Sequence, residues 1–138
     1  MSDKPSRRRV LIVDDEPSIL KMVGKRLEVA GYDVMLAQDG EEGLAEARVG
    51  SPDIILLDLM LPRKNGFEVC AILKGDPASR HVPVVIFTAR GDEADERLCR
   101  EVGADAYISK PRGMGPLLEQ VEALLARFSQ DGGPADAT

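Results

Sequence analysis

The sequence predicts an α/β fold in which one parallel sheet of five strands carries helices on both faces. Five short apolar runs alternate with five stretches of helical periodicity, and the connections between them are short. Three of the runs are almost continuously apolar and rich in Val and Ile, which is typical of strands that are covered on both faces. Parallel strands need crossover connections, and the intervening helices can supply them. The five runs are residues 10–13, 33–36, 54–57, 82–87 and 104–108.

The first two helices have recognisable end signals. Pro17 suits the first position of a helix, and apolar side chains then recur at helical spacing until Gly31, which is a typical helix-ending residue. Asp39 can cap the second helix, and Glu42, three residues later, completes a capping-box pattern. The apolar positions of the first helix are Ile19, Leu20, Val23, Leu27 and Ala30.

The other three helices are predicted at residues 66–74 and 91–102 and after the last strand. The final one carries an apolar stripe, but it is preceded by Arg112-Gly113-Met114-Gly115-Pro116. Glycine frees the backbone and proline breaks a helix upstream of itself. We therefore expect a mobile loop there and a late helix start, near Gly115 or Pro116. The stripe consists of Leu117, Leu118, Val121, Leu124, Leu125 and Phe128.

The length of 138 residues corresponds to a single domain, which we place at residues 8–128. Residues 1–7 are expected to be a flexible N-terminal segment, and residues 129–138 a flexible tail or the start of a linker. The formal net charge of −6 argues against a nucleic-acid-binding face. No apolar run is long enough to span a bilayer, and the polar start lacks a signal peptide, so a cytoplasmic protein without membrane contact is expected.

Cysteine and histidine are too scarce to build the usual soft-metal or triad sites. Cys70 and Cys99 are the only cysteines and form no CxxC pair, so we interpret them as reduced packing residues. His81 is the only histidine and lies in a polar stretch. A histidine-based metal site and a Ser-His-Asp triad are therefore not expected.

Polar side chains concentrate just after four of the apolar runs, where the carboxyl ends of parallel strands meet at one edge. If strands one and three are neighbours, Asp14, Asp15 and Asp58 converge there. Two like charges ~5 Å apart repel by about 3 kcal/mol at an effective dielectric of ~20. Proton uptake, a cation, or both must offset this repulsion, and Lys110 supplies one positive charge. Mg²⁺ suits an all-oxygen site and no soft ligand is placed to favour zinc.

The order and spacing of these motifs resemble the receiver domain of bacterial two-component response regulators, over residues 8–128. The resemblance rests on four motifs. They are the run Val10–Glu16, which ends in Asp-Asp-Glu; Asp58-Leu59-Met60-Leu61-Pro62, followed by Asn65-Gly66; Thr88-Ala89; and Lys110-Pro111. The resemblance implies a flavodoxin-like (βα)₅ fold with strand order 2-1-3-4-5. It also implies a phosphoacceptor domain in a phosphorelay, not an enzyme with an external metabolite substrate.

The resemblance assigns roles to the acidic residues and to their neighbour Met60. Asp58 would be the nucleophile that takes a phosphoryl group from a phosphohistidine. Asp15, Asp58 and the main-chain carbonyl of Met60 would bind Mg²⁺ directly. Asp14 would act through a metal-bound water.

The resemblance also assigns the remaining polar positions. Lys110 would pair with Asp58 and then with a phosphoryl oxygen, and the Thr88 hydroxyl would bind another. Tyr107 would turn inward as an aromatic switch when Thr88 moves. The Lys110–Pro111 peptide bond would be cis, a form that is uncommon even before proline.

The expected partners follow from the same resemblance. The donor would be a histidine kinase or a histidine phosphotransfer protein, and the output would be an unidentified protein or a covalently linked output domain. Two alternatives stay open. A Mg²⁺-dependent phosphohydrolase would need an acid two residues after its nucleophile, where Met60 stands instead. Glu16 does follow Asp14 at that distance, but Asp-Asp-Glu does not resemble the phosphatase pattern. A receiver-like domain without phosphorylation would have an incomplete acidic pocket.

Overall fold

The computed structural model describes residues 7–89, 92–110 and 114–132, with side chains up to residue 127. Within these ranges five strands alternate with five helices, as the sequence predicts. The strands are β1 (Arg9–Val13), β2 (Asp33–Ala37), β3 (Ile54–Leu57), β4 (Val84–Thr88) and β5 (Ala106–Ser109). The helices are α1 (Pro17–Val29), α2 (Gly40–Gly50), α3 (Gly66–Gly75), α4 (Glu93–Glu101) and α5 (Met114–Gly132).

All four strand pairings are parallel, and the sheet has the order β2-β1-β3-β4-β5. The predicted fold class is confirmed, including the neighbouring positions of β1 and β3. Val13 lies opposite Leu57 in the register of this pair. The residues that follow, Asp14 and Asp58, therefore leave the sheet side by side.

The sheet has a separate apolar core on each face. Val10 and Ile12 point to the side of α1 and α5, while Leu11 and Val13 point to the side of α2, α3 and α4. All four side chains are buried. This two-sided burial explains why the strand is apolar at every position instead of at alternate ones.

The helix caps match the sequence prediction in part. The Asp39 carboxylate accepts a hydrogen bond from the Glu42 N–H at 2.8 Å, as predicted. The return bond of the capping box is different, because the Glu42 carboxylate accepts from the N–H of Gln38 at 2.6 Å. A complete capping box lies instead at the start of α3, where Asn65 and Glu68 exchange bonds of 3.0 and 3.1 Å.

Two strands begin later than predicted, because the residues before them belong to turns. The N–H of Val82 bonds to the carbonyl of Ser79, and the N–H of Ala104 bonds to that of Cys99. Both donors are thus taken by the preceding turn, which delays β4 to Val84 and β5 to Ala106.

The last helix begins close to the predicted residue, but it continues past the expected end of the domain. It begins at Met114, one residue before the predicted Gly115, and its backbone continues to Gly132, beyond the domain end expected at residue 128. Residues 129–132 include no proline, so nothing stops the helical hydrogen bonds before the glycine pair. The predicted loop at 112–113 and the Lys110–Pro111 peptide bond lie outside the described residues. None of the described helices has the length and apolar character needed to cross a bilayer.

Candidate functional site

The sheet fixes the backbone of both buried aspartates at its carboxyl edge. The N–H of Asp14 donates to the carbonyl of Ala37 at 3.0 Å, and the N–H of Asp58 donates to that of Val13 at 3.0 Å. Each bond extends the parallel ladder one residue beyond the strand. The two carboxylates therefore start from a rigid support and not from a flexible loop.

Three carboxylates meet at this edge. Asp14, Asp15 and Asp58 each offer an oxygen, and these oxygens all lie within 4.8 Å of one another. Asp14 and Asp58 are buried, whereas Asp15 is exposed. Oxygen donors that surround a small space at the surface are the ligand type that Mg²⁺ and other hard cations use. The cluster is compatible with a metal site.

Lys110 is the cation at the centre of the cluster. Its Nζ lies 2.8 Å from Asp14 Oδ2, 3.3 Å from Asp58 Oδ2 and 3.6 Å from Glu16 Oε1. The sequence predicts its pairing with Asp58 but not the shorter pairing with Asp14. Burial alone lowers the pKa of Lys110, yet the hydrogen bond to Asp14 and the charge of Asp58 outweigh burial and raise this pKa.

Asp14 is the most enclosed of the three acids, and its carboxylate oxygens already have protein partners. Oδ1 accepts from the N–H of Glu16 at 2.9 Å, and Oδ2 pairs with Lys110. Its pKa is raised, mainly because burial penalises the charged form. The bonds from Lys110 and Glu16 oppose this rise, while the charge of Asp58 adds to it. The exposed Asp15 carboxylate, by contrast, has no hydrogen-bond or ion-pair partner among the described residues.

Asp58 is held by contacts to both carboxylate oxygens. Oδ1 accepts from the N–H of Met60 at 3.3 Å, and Oδ2 faces the Lys110 ammonium group. The chain turns sharply here, since the N–H of Gly66 donates to the carbonyl of Leu59 at 3.0 Å. A Cβ on Gly66 would overlap the Asp58 carbonyl oxygen and lie 2.7 Å from Leu59 Cα. The Asn65-Gly66 motif therefore has a steric reason that the sequence alone did not give.

Thr88 and Tyr107 lie on the two strands beyond β3. Thr88 ends β4 fully buried, opposite Ser109, which is the residue before Lys110. Tyr107 is half-buried on β5, opposite Ile86. Burial raises the pKa of Tyr107, and the negative charges of nearby groups on α4, including Asp95, raise it further. Thr88 therefore ends at the same edge as the acids, whereas Tyr107 stands two residues back along its strand.

Comparison with known families matches this arrangement to one of them. The family model described as the response regulator receiver domain matches residues 10–122. The chain belongs to the response regulator receiver domain family. The receiver domain is the signal-receiving part of two-component response regulators, and the acidic edge described above lies within the matched range.

Individual relatives agree with the family match. The receiver domain is 45% identical over 119 residues to the DNA-binding dual master transcriptional regulator RpaA of Synechocystis sp., covering 86% of this chain and 49% of RpaA. It is 42% identical over 120 residues to the alkaline phosphatase synthesis transcriptional regulatory protein PhoP of Bacillus subtilis, covering 87% and 49%. The chain thus spans about half the length of the curated relatives it matches, and these are named as transcriptional regulators.

A solved structure supports the fold independently. The CheY-like response regulator receiver domain protein of Methanospirillum hungatei superposes with a TM-score of 0.86 at 30% identity. The match covers 91% of this chain and 99% of that one. The receiver domain therefore corresponds to a complete fold of its kind within the described residues.

Proposed function

We propose that Asp58 accepts a phosphoryl group from a phosphohistidine donor, in a reaction that requires Mg²⁺ at the acidic edge. The observation that carries this proposal is the convergence of separate strand ends. Asp58 lies within 4.8 Å of two other carboxylates and 3.3 Å from the Lys110 ammonium group. A structural salt bridge needs one acid for one lysine, whereas this edge gathers a cluster of three acids, two of which share one lysine.

The residues that would hold the metal differ in availability. Asp15 and Asp58, with the main-chain carbonyl of Met60, are proposed as direct ligands. Asp14 is proposed to act through a water, because both its oxygens already accept bonds from Glu16 and Lys110. When bound, Mg²⁺ would neutralise charge on the phosphoryl oxygens and help to align the donor.

The protein groups then divide the transfer step among them. An oxygen of the Asp58 carboxylate attacks phosphorus as the P–N bond to the donor imidazole breaks, and the electron pair of that bond stays on the imidazole nitrogen. Lys110 can move its hydrogen bond from Asp58 to a phosphoryl oxygen, and the Thr88 hydroxyl can bind another. Because these groups stand on adjacent strand ends, little reorganisation is needed when charge shifts in the transition state.

The partners and cellular setting are part of the same proposal. The domain, placed at residues 8–128, would receive phosphate from a histidine kinase or a histidine phosphotransfer protein in the cytoplasm. It would act on a separate output protein or on a covalently linked output domain, as the names and lengths of RpaA and PhoP suggest. With its net charge of −6, this domain is not expected to contact nucleic acid or a membrane itself, and no external metabolite would be its substrate.

Incubation with a small phosphodonor and Mg²⁺ tests the proposed acceptor. We expect intact-mass measurement to show one added phosphoryl group on the wild-type chain, and none in Asp58→Ala or after chelation of the metal. Asp53→Asn, a change of a β3-flanking acid at the opposite end of the strand, should be phosphorylated like the wild type. Modification that persists in Asp58→Ala would place the acceptor elsewhere.

Thr88 and Tyr107 are proposed as the switch through which phosphorylation changes how this domain contacts its output protein or output domain. In Thr88→Ala we expect phosphorylation to continue but the accompanying amide chemical-shift changes at residues 92–110 to fall by more than half, because the hydroxyl that would bind the phosphoryl group is missing. Thr88→Ser keeps the hydroxyl and should retain these changes. Undiminished shifts in Thr88→Ala would remove Thr88 from the switch.

A further inference from the structure

A strained turn lies in the loop that follows Asp58. The N–H of Lys64 donates to the carbonyl of Pro62 at 2.8 Å, which closes a three-residue turn around Arg63. Arg63 has φ +71°, in the left-handed region that residues other than glycine rarely adopt. A γ-turn with positive φ is rare and strained, and strained backbone persists only where the surroundings impose it.

The β2–α2 turn supplies one such constraint through backbone packing. The N–H of Gly40 points to the carbonyl of Pro62 at 3.5 Å. A Cβ on Gly40 would overlap the carbonyl oxygen of Lys64 and lie 2.7 Å from its Cβ. The overlapped atom belongs to the backbone, so it cannot turn aside as a side-chain end would. Glycine is needed at this position because of space.

An ion pair adds a second, weaker link between the same two segments. Arg63 Nε lies 3.5 Å from Asp39 Oδ2, while the other Asp39 oxygen caps α2. The Arg63 side chain is 66% exposed, and exposed ion pairs contribute little to stability. The close fit of Gly40 against Lys64 is therefore the main constraint.

The other end of the loop is fixed with equal closeness. Gly66 packs against the Asp58 carbonyl and bonds to Leu59, as described above. Between the two glycine contacts lies Met60, whose N–H reaches Asp58 Oδ1 at 3.3 Å. The shape of the segment 59–65 thus depends on two contacts: that of Gly66 with Asp58 and Leu59, and that of Gly40, from the neighbouring turn, with Lys64.

We propose that Gly40 is a positioning residue for the metal-binding loop, with Asp39 as a minor contributor. The turn before α2 would hold the β3–α3 loop so that the Met60 carbonyl and the Asp58 carboxylate face the same cation. This inference rests on the proposed function, because it assumes that a divalent cation binds at the acidic edge. It adds a residue from the turn between β2 and α2, a connection that carries none of the three clustered acids.

Gly40→Ala tests the proposal through the affinity for Mn²⁺, measured by electron paramagnetic resonance on the unphosphorylated chain. We expect binding at least tenfold weaker than in the wild type, since changes that misplace ligands indirectly cost about 10- to 100-fold in metal affinity. Gly75→Ala is the matched control, because a Cβ there meets nothing within 4 Å. Leu124→Ala, which leaves a cavity in the buried face of α5, controls for lost stability. Both controls should bind Mn²⁺ like the wild type.

The outcomes separate this inference from the proposed function. Absence of Mn²⁺ binding in the wild type would reject the metal site itself, and with it the inference. Wild-type binding that is unchanged in folded Gly40→Ala would reject only the positioning role, as would an equal loss in Leu124→Ala. If urea unfolding shows that Gly40→Ala does not fold, the double variant Gly40→Ala/Arg63→Gly is decisive, because a glycine at position 63 removes the strain at φ +71° and lets the loop yield to the added Cβ. We expect this double variant to bind Mn²⁺ at least threefold more weakly than Arg63→Gly alone, and equal affinity of the two would overturn the proposal.

Discussion

We expect Asp58→Asn to abolish phosphorylation and, at the same time, to stabilise the metal-free domain by about 1–3 kcal/mol. The gain comes from removing one of three negative charges that lie within 4.8 Å of one another, of which Lys110 pairs with only two. The amide oxygen can keep the hydrogen bond from the Met60 N–H, whereas the amide nitrogen cannot accept one from Lys110, which retains its pairing with Asp14. An acceptor residue that destabilises its own fold indicates a site kept for function rather than for stability.

Urea unfolding with and without Mg²⁺ measures how the Asp58 charge affects the stability of the metal-free and the metal-bound domain. The variant should unfold at higher urea than the wild type in chelator, and Mg²⁺ should stabilise the wild type much more than the variant. The pKa of Asp14, which the charge of Asp58 helps to raise, should fall in the variant. Equal or lower stability of Asp58→Asn in chelator would mean that Lys110 already balances the acids.

Lys110→Met should have the opposite effects on stability and metal binding. Without the ammonium group, two buried carboxylates lose their only ion-pair partner among the described residues, which we expect to cost about 2–4 kcal/mol in metal-free protein. Mg²⁺ should bind more tightly than in the wild type, because Lys110 no longer competes for the Asp14 and Asp58 oxygens. The phosphorylation rate should still fall about 100-fold, since a donor to the developing phosphoryl charge is missing.

The pH dependence of this variant has a definite sign. The pKa of Lys110 is raised in the folded domain above its ordinary value of 10.5, so its stabilising contribution is complete below that value and is lost as the pH rises through the folded pKa. The stability gap between wild type and Lys110→Met should therefore be level at neutral pH and close in strong alkali. Lys21→Met, which changes an exposed lysine of α1, is the control. Weaker Mg²⁺ binding in Lys110→Met than in the wild type would contradict the idea that Lys110 competes with the metal for the Asp14 and Asp58 oxygens.

Several contacts between segments far apart in sequence were not predicted. The pairing of Lys110 with Asp14, the overlap that forbids a side chain on Gly40 and the half-buried ion pair of Lys74 with Asp105 at 2.8 Å are of this kind. The contacting residues are not separated by a helical or strand period, so no local sequence pattern indicates that they meet. The bonds of Val82 and Ala104 to preceding turns were missed for a related reason, because an apolar run does not reveal which N–H groups a turn has taken.

The sequence by itself determined the alternation of strands and helices, the strand order through its family resemblance, and the edge at which polar groups gather. The alternation and the polar edge follow from hydrophobic periodicity and from the rule that parallel strands end together, whereas the strand order is what the resemblance implied. Only the tertiary structure decided which acid is enclosed, which oxygens Lys110 occupies and how two loops fit against each other. Such details depend on differences of a few tenths of an ångström in the distances between close-packed atoms. These distances are set only once the whole chain has folded.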